Sequence, residues 1–279
     1  MTYHDDLVDH LVAYKNSHLA PRTPGMFRYR GRDVPLEHIL PEADKWLNLL
    51  PTFRDQIRAL LSANPRIKTH RYFHHLNSSQ AFALNLFVPF FEGGSKASGA
   101  LLQALGQSTE LVAWQPEAVP DKDEGTNLDA MWDTADGVRT FCEVKLSERD
   151  FGKAKNDTRH IDKLRDTYLP ILAPHVNTDL CEAPVFFASY QILRNIWHLV
   201  KHPNARLVFL IPRANEQLWR LLDKTLVGVT PPICARVHRV AIEDVIDRLI
   251  RNELCPPELR DYAGELRQKY VLRSPTAGK

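Results

Sequence analysis

The stretch that most limits what this chain can become is Asn127–Lys145, NLDAMWDTADGVRTFCEVK. Two runs alternate polar and apolar residues, Asn127 to Thr134 and Val138 to Leu146, with Ala135, Asp136 and Gly137 between them. Period-two alternation broken by a glycine-containing triplet reads as two antiparallel strands and a tight turn. Gly137 can supply the left-handed residue that closes a three-residue loop. Such a loop pairs Thr134 with Val138, Asp133 with Arg139, Met131 with Phe141, Asp129 with Glu143 and Asn127 with Lys145. Side chains alternate between the faces of a strand. One face then carries Asp129, Glu143 and Lys145; the other carries Leu128, Ala130, Trp132, Cys142, Val144 and Leu146, a core face. A two-residue loop would send Asp129 and Glu143 to opposite faces, so the register is a commitment.

Two carboxylates opposed across a hairpin repel each other. A divalent cation compensates them, because Mg²⁺ takes one or two carboxylates and completes its shell with water and phosphate oxygens. Lys145 beside them suits an attacking water or a phosphate. These residues resemble the PD-(D/E)xK nuclease superfamily, the restriction-endonuclease-like phosphodiesterases. Glu143-Val144-Lys145 stands as the ExK triplet and Asp129 as the Asp of the preceding strand; Leu128 occupies the usual Pro position. The resemblance implies an α/β fold with a restriction-endonuclease-like core: an α-β-β-β-α-β order, a mixed central sheet flanked by helices, and extra N- and C-terminal helices. It implies Asp129 and Glu143 as ligands of Mg²⁺, or of Mn²⁺ in its place, and Lys145 as the group that activates or positions the water. The implied substrate is double-stranded DNA. Cutting both strands often takes two active sites, so the analogy admits a homodimer. More locally, LNSSQAFALNLF before the hairpin and YQILRNIW after it resemble a bacterial restriction-endonuclease branch, over Tyr72 to Ile211. Gln80 and Gln191 lie in these two segments and are candidate catalytic helpers; each also reads as a buried amide or a helix cap.

Charge is needed to place the substrate. The net charge is only +2 on 279 residues, so the molecule as a whole is no polycation. Its distribution is uneven. From Glu110 to Asp136 the acids Glu110, Glu117, Asp121, Asp123, Glu124, Asp129, Asp133 and Asp136 stand against Lys122 alone. Arg22, Arg28, Arg30 and Arg32 cluster upstream, with Lys68, His70 and Arg71 after them, and from Arg194 to Lys279 there are 15 Lys and Arg against 9 Asp and Glu. An acidic island flanked by basic arms fits a metal-dependent enzyme acting on a polyanion, while solvated loops would account for the same clusters. Arg28, Arg30, Arg32, Lys68 and Arg71 are therefore the candidate nucleic-acid contacts. His70 and His74 have helical ligand spacing but no accompanying motif, and read as surface or phosphate-contacting residues. The four cysteines form no CxxC pair, which argues against zinc and suits a reducing cytoplasm. The N-terminus is no signal peptide, and no apolar run spans a bilayer, so a cytoplasmic protein without membrane contact is expected.

In order, Tyr3 to His18 reads as a helix with Leu7, Leu11 and Tyr14 on one stripe. Ala20 to Pro35 reads as an irregular basic arm, and Ile39 to Ala63 as one or two helices broken near Pro51. Leu76 to Phe91 is apolar enough for a buried helix, stopped by Gly93 and Gly94. Leu111 to Ala118 is a strand. The polar segment after Lys145 loops over the site; its Glu148 and Asp150 read as plain loop acids, with support of the site's ligands as the alternative. Helices follow at Ile161 to Leu172, Ala188 to Lys201, Asn215 to Leu226 and Glu243 to Arg251. Arg206 to Pro212 and Val237 to Ile242 are strands, the first buried on both faces. A single nuclease-like domain over 1–279 is expected, with 1–70 as a mainly helical extension. The function indicated is a Mg²⁺-dependent DNA endonuclease. The alternative is a non-catalytic nucleic-acid-binding or protein-interaction module on the same fold.

Overall fold

A computed structural model describes residues 2–20 and 23–272. The chain divides into two compact units, Met1–Glu110 with Ala241–Lys279, and Leu111–Val240. Arg22, Arg273 and Lys279, counted above among the basic residues, lie outside the described residues.

In the first unit the Tyr3–His18 helix starts at a capping box between Thr2 and Asp5 and buries Leu7, Leu11 and Tyr14. The segment read as an irregular arm is instead an ordered hairpin, β1 (Gly25–Tyr29) and β2 (Arg32–Leu36), antiparallel with Tyr29 opposite Arg32. Its two-residue loop, Arg30-Gly31, has both residues at positive φ, 48° and 81°, the mirror-image turn that matches strand twist. The region from Ile39 to Ala63 holds only one α-helix, Arg54–Ala63. Ahead of it Pro41 and Pro51 break the chain into 3₁₀ segments, Glu42–Asn48 and Pro51–Phe53, since proline offers no donor to a continuing helix. The Ser79–Phe91 helix is buried from Gln80 to Phe91 and is capped by Ser78, whose hydroxyl accepts from Ala81 N. A helix apolar all round belongs in a core. Within it Asn85 accepts from Leu50 N and donates to Tyr270 Oη at 2.8 Å, tying in the C-terminal Pro257–Tyr270 helix.

The second unit is built on a five-stranded mixed sheet in the order β3-β4-β5-β6-β7. The strands are β3 (Leu111–Ala118), β4 (Leu128–Thr134), β5 (Arg139–Val144), β6 (Ala205–Ile211) and β7 (Val237–Ala241). β3, β4 and β5 form an antiparallel meander, and β5 pairs β6 in parallel from Arg139–Ala205 to Val144–Leu210. Pro116 is tolerated because β3 is an edge strand. The β4–β5 register is the expected one: Asp133 faces Arg139, Met131 faces Phe141, and Ala130 faces Cys142. Thr134 N donates to Val138 O, and Gly137 has φ 77°. A parallel pair needs a long crossover; here it runs through several short helices and the Tyr190–Lys201 helix. That helix packs on β6, and its Leu193, Ile196 and Trp197 join Phe141, Leu207 and Phe209 in one apolar cluster. The sheet face bearing Glu143 and Lys145 is thus a covered face, which is why β5 is buried from Thr140 through Val144.

Candidate active site on one sheet face

Asp129, Glu143 and Lys145 meet where β4 and β5 part. The ladder's last pair is Ala130–Cys142. The next rung would aim Val144 N at the Leu128 carbonyl; instead Val144 N donates to Asp129 Oδ2 at 2.7 Å. The Asp129 carboxylate therefore ends the ladder and stays beside Glu143. Burial and the neighbouring carboxylates of Glu143 and Glu117 push its pKa well above the ordinary aspartate value, against the opposing pull of Lys145 and the Val144 N–H. A like charge that raises a carboxyl in this way is a sign of two acids sharing one site.

Glu143 is 2% exposed and Lys145 8%. Lys145 Nζ lies 2.9 Å from Glu143 Oε1. Burial disfavours the Lys145 ammonium, yet Glu143, Glu148 and Asp129 together hold its pKa above the ordinary lysine value. Glu143 also takes donors from the Tyr190–Lys201 helix: Gln191 Nε2 on Oε1 at 2.7 Å and Asn195 Nδ2 on Oε2 at 3.0 Å. Arg194 stands 3.7 Å from Oε2 and donates to the Asn127 carbonyl and to Asn195 Oδ1. Positions 191, 194, 195 and 198 form one helical stripe, so Arg194 faces the same carboxylate as Gln191. Next along it, His198 is fully buried, 3.7 Å from Glu124 Oε2. Glu124 accepts from Lys163 at 2.8 Å and from Tyr168 at 2.5 Å.

The polar loop after Lys145 does lie over this site. Glu148 Oε2 accepts from Leu146 N, and Asn215 donates to the Glu148 carbonyl. Gly152, at φ 85°, lies so close to the Gln191 amide that a Cβ there would sit 3.4 Å from Oε1. Four residues of the site carried no signal strong enough to single them out. Glu117 lies on β3 between the Pro116–Ala130 and Ala118–Leu128 pairs, hence opposite Asp129, at φ 49°. Glu148 acts on Lys145, and Arg194 and Asn195 act on Glu143.

The remaining candidates lie in the first unit. Gln80 has both ends of its amide engaged by backbone: Oε1 accepts from His70 N at 2.7 Å and Nε2 donates to Lys68 O at 3.0 Å. It staples the loop that carries Lys68 and Arg71. Arg28, Arg30, Arg32, Lys68 and Arg71 are all exposed. His74 faces Glu42 at 3.0 Å, and burial with His74, His38 and His70 around it pushes His75 down to about 3. Among the described residues no group of three or more His, Cys, Asp or Glu is placed to hold a metal, and no helix is long and apolar enough to cross a membrane.

A helix, a three-strand meander, a crossover helix and a parallel strand, with acids and a lysine at the parting of β4 and β5, define an α/β protein of restriction-endonuclease-like fold. A family model described as Restriction Endonuclease associating with ARP matches residues 9–271, and the chain belongs to that family. Comparison with curated proteins and with solved structures returned no match.

Proposed function

We propose that the chain is a metal-dependent DNA endonuclease of the PD-(D/E)xK type, with Asp129 and Glu143 holding a divalent cation, Mg²⁺ or Mn²⁺. Membership of a restriction-endonuclease family supports the nuclease class and the DNA substrate. The observation that carries the site is the placing of Asp129 and Glu143 on one sheet face where β4 and β5 part, with Lys145 at 2.9 Å from Glu143; burial and then the Glu143 charge push the Asp129 pKa up. Two hard oxygen donors fit Mg²⁺, with water and phosphate oxygens making up the rest of its shell. A cation so held supplies Lewis acidity toward the phosphoryl oxygen and a lowered pKa for a bound water. The chain's own part is then definite. Lys145, beside both carboxylates, places the attacking water or donates to a phosphate oxygen as charge develops there. Gln191 and Asn195 fix the Glu143 rotamer.

The second reading, a non-catalytic module, has one observation in its favour. Glu143 Oε1 already accepts from Lys145 and Gln191, and Oε2 accepts from Asn195. An oxygen accepts two bonds, so one position is left for a cation. Incubation of purified protein with supercoiled plasmid decides between them. Nicking in Mg²⁺ or Mn²⁺ that EDTA abolishes, and that Glu143→Gln lacks, is the expected result. Duplex binding with no cleavage in either metal would leave the module reading. The family's description also names an association with ARP, which would extend to this chain.

A further inference from the structure

We propose that the β1–β2 hairpin is the element that enters the major groove of duplex DNA, with Arg30 and Arg32 at its tip toward the base edges and Lys68 and Arg71 on the flanking phosphates. The proposal rests on the DNA reading above and gives it a specific surface.

Four observations converge on the ribbon. Its shape comes first. A two-stranded antiparallel ribbon is one of the two elements the major groove, about 12 Å wide, admits, and β1–β2 closes through a two-residue turn, so its tip is narrow. Second, almost the whole hairpin is exposed, including Tyr29 at 53% and Met26 at 54%. An exposed ribbon of this kind is free to enter a groove without first unfolding or losing core contacts. Third, the charge suits a polyanion: Arg28, Arg30 and Arg32 stand against Asp33 alone. Arg28 pairs loosely with Asp33 at 3.6 Å, and Arg30 stacks on Tyr29 at 5.2 Å. Among the described residues no acid pairs with Arg30 or Arg32. Stacking on an aromatic ring orients the guanidinium plane while its donor fork remains available, the geometry that reads guanine O6 and N7.

The fourth observation is the anchoring. Gly25 N donates to Ile39 O at 2.7 Å, and a Cβ on Gly25 would lie 2.2 Å from the Leu40 carbonyl oxygen, so the root is clamped against backbone. Phe27 packs on Tyr72 and His75. Tyr72 in turn carries the Arg71 guanidinium at 4.4 Å, and Gln80 staples the backbone from Lys68 to His70. The ribbon and the second basic loop thus form one held surface. Positioning contacts go to phosphates and specifying contacts to base edges; the loop suits the first and the ribbon tip the second.

The test uses the full-length protein in EDTA and a duplex of mixed sequence, either plain or with glucosylated hydroxymethylcytosine filling the major groove. The expected result is that the parent binds plain duplex at low salt and loses at least tenfold in affinity on the glucosylated one, while netropsin in the minor groove does not compete. The Arg28→Ala, Arg30→Ala, Arg32→Ala variant should bind plain duplex at least tenfold more weakly and no longer distinguish the two DNAs. Lys68→Ala with Arg71→Ala should reduce the slope of log affinity against log salt by about 2 units, at roughly 0.9 per phosphate, and keep the glucosylation penalty. Unchanged affinity and unchanged discrimination in the triple variant would overturn the ribbon while leaving DNA as the substrate. A parent that fails to bind any duplex would instead remove DNA itself.

Discussion

The Asp129 carboxylate shares a face with Glu143 and also terminates the Val144 N–H, and the two roles make opposite demands on a substitution. Removing one of two facing acids relieves about 0.2–1 kcal/mol. Leaving a buried N–H unpaired costs about 1–3 kcal/mol. Judged by the repulsion alone, Asp129→Ala would gain stability; with the ladder bond included it should lose about 1–2 kcal/mol in urea unfolding. Asp129→Asn keeps an acceptor for Val144 and should equal or exceed the wild type at neutral pH. The pH dependence has a definite sign. A carboxyl whose folded pKa is raised binds its proton more tightly folded than unfolded, so stability from this group is present at acid pH and lost as pH rises through the folded pKa. The wild type should therefore fall behind Asp129→Asn over that rise, and added Mg²⁺ should close the gap. Lys145 acts as a donor toward developing charge, so Lys145→Ala should reduce the nicking rate about 10²- to 10³-fold.

At the scale of elements, the Tyr190–Lys201 helix positions the glutamate it covers. Asn195→Ala removes one of the two amides that hold Glu143, so the Mg²⁺ concentration for half-maximal nicking should rise about 10- to 100-fold with less change in the saturated rate. A fall in saturated rate alone, at unchanged metal requirement, would take Asn195 out of the positioning role. Much of this arrangement could be read from the chain. Period-two alternation and Gly137 gave the β4–β5 register, and with it the shared face of Asp129, Glu143 and Lys145. What escaped depended on pairing and loop geometry that alternation alone does not show. Glu117 meets Asp129 only through β3–β4 pairing, and Glu148 reaches Lys145 only because its loop folds back. The β1–β2 hairpin was missed for a different reason: a turn made of Arg and Gly, between short exposed strands rich in arginine, has neither the apolar alternation of a half-buried strand nor the usual Asn-Gly signal.

Across the whole molecule, the basic excess after Arg194 is smaller in effect than its count. Arg194 is buried at Glu143, and Lys269 is fully buried on Asn48. Arg236 serves backbone carbonyls, and Lys201, Arg239 and Arg267 pair with Asp121, Asp223 and Asp247. Those side chains are engaged within the fold, whereas Arg28, Arg30, Arg32, Lys68 and Arg71 are exposed. If the chain is one nuclease-like domain with 1–70 as an extension, scanning calorimetry should show a single transition, raised as a whole by Mg²⁺. Two transitions, of which the metal moves only one, would make the two units separate domains.

The bond from Val144 N to Asp129 has a practical consequence. That amide proton points at an oxygen that a cation would compete for, and it belongs to a residue with no chemistry of its own. In ¹⁵N-labelled protein its resonance should move and its exchange with solvent quicken as Mg²⁺ is titrated, while Asp129→Asn should leave it silent. One backbone signal would then count occupied sites directly, with no DNA and no turnover needed.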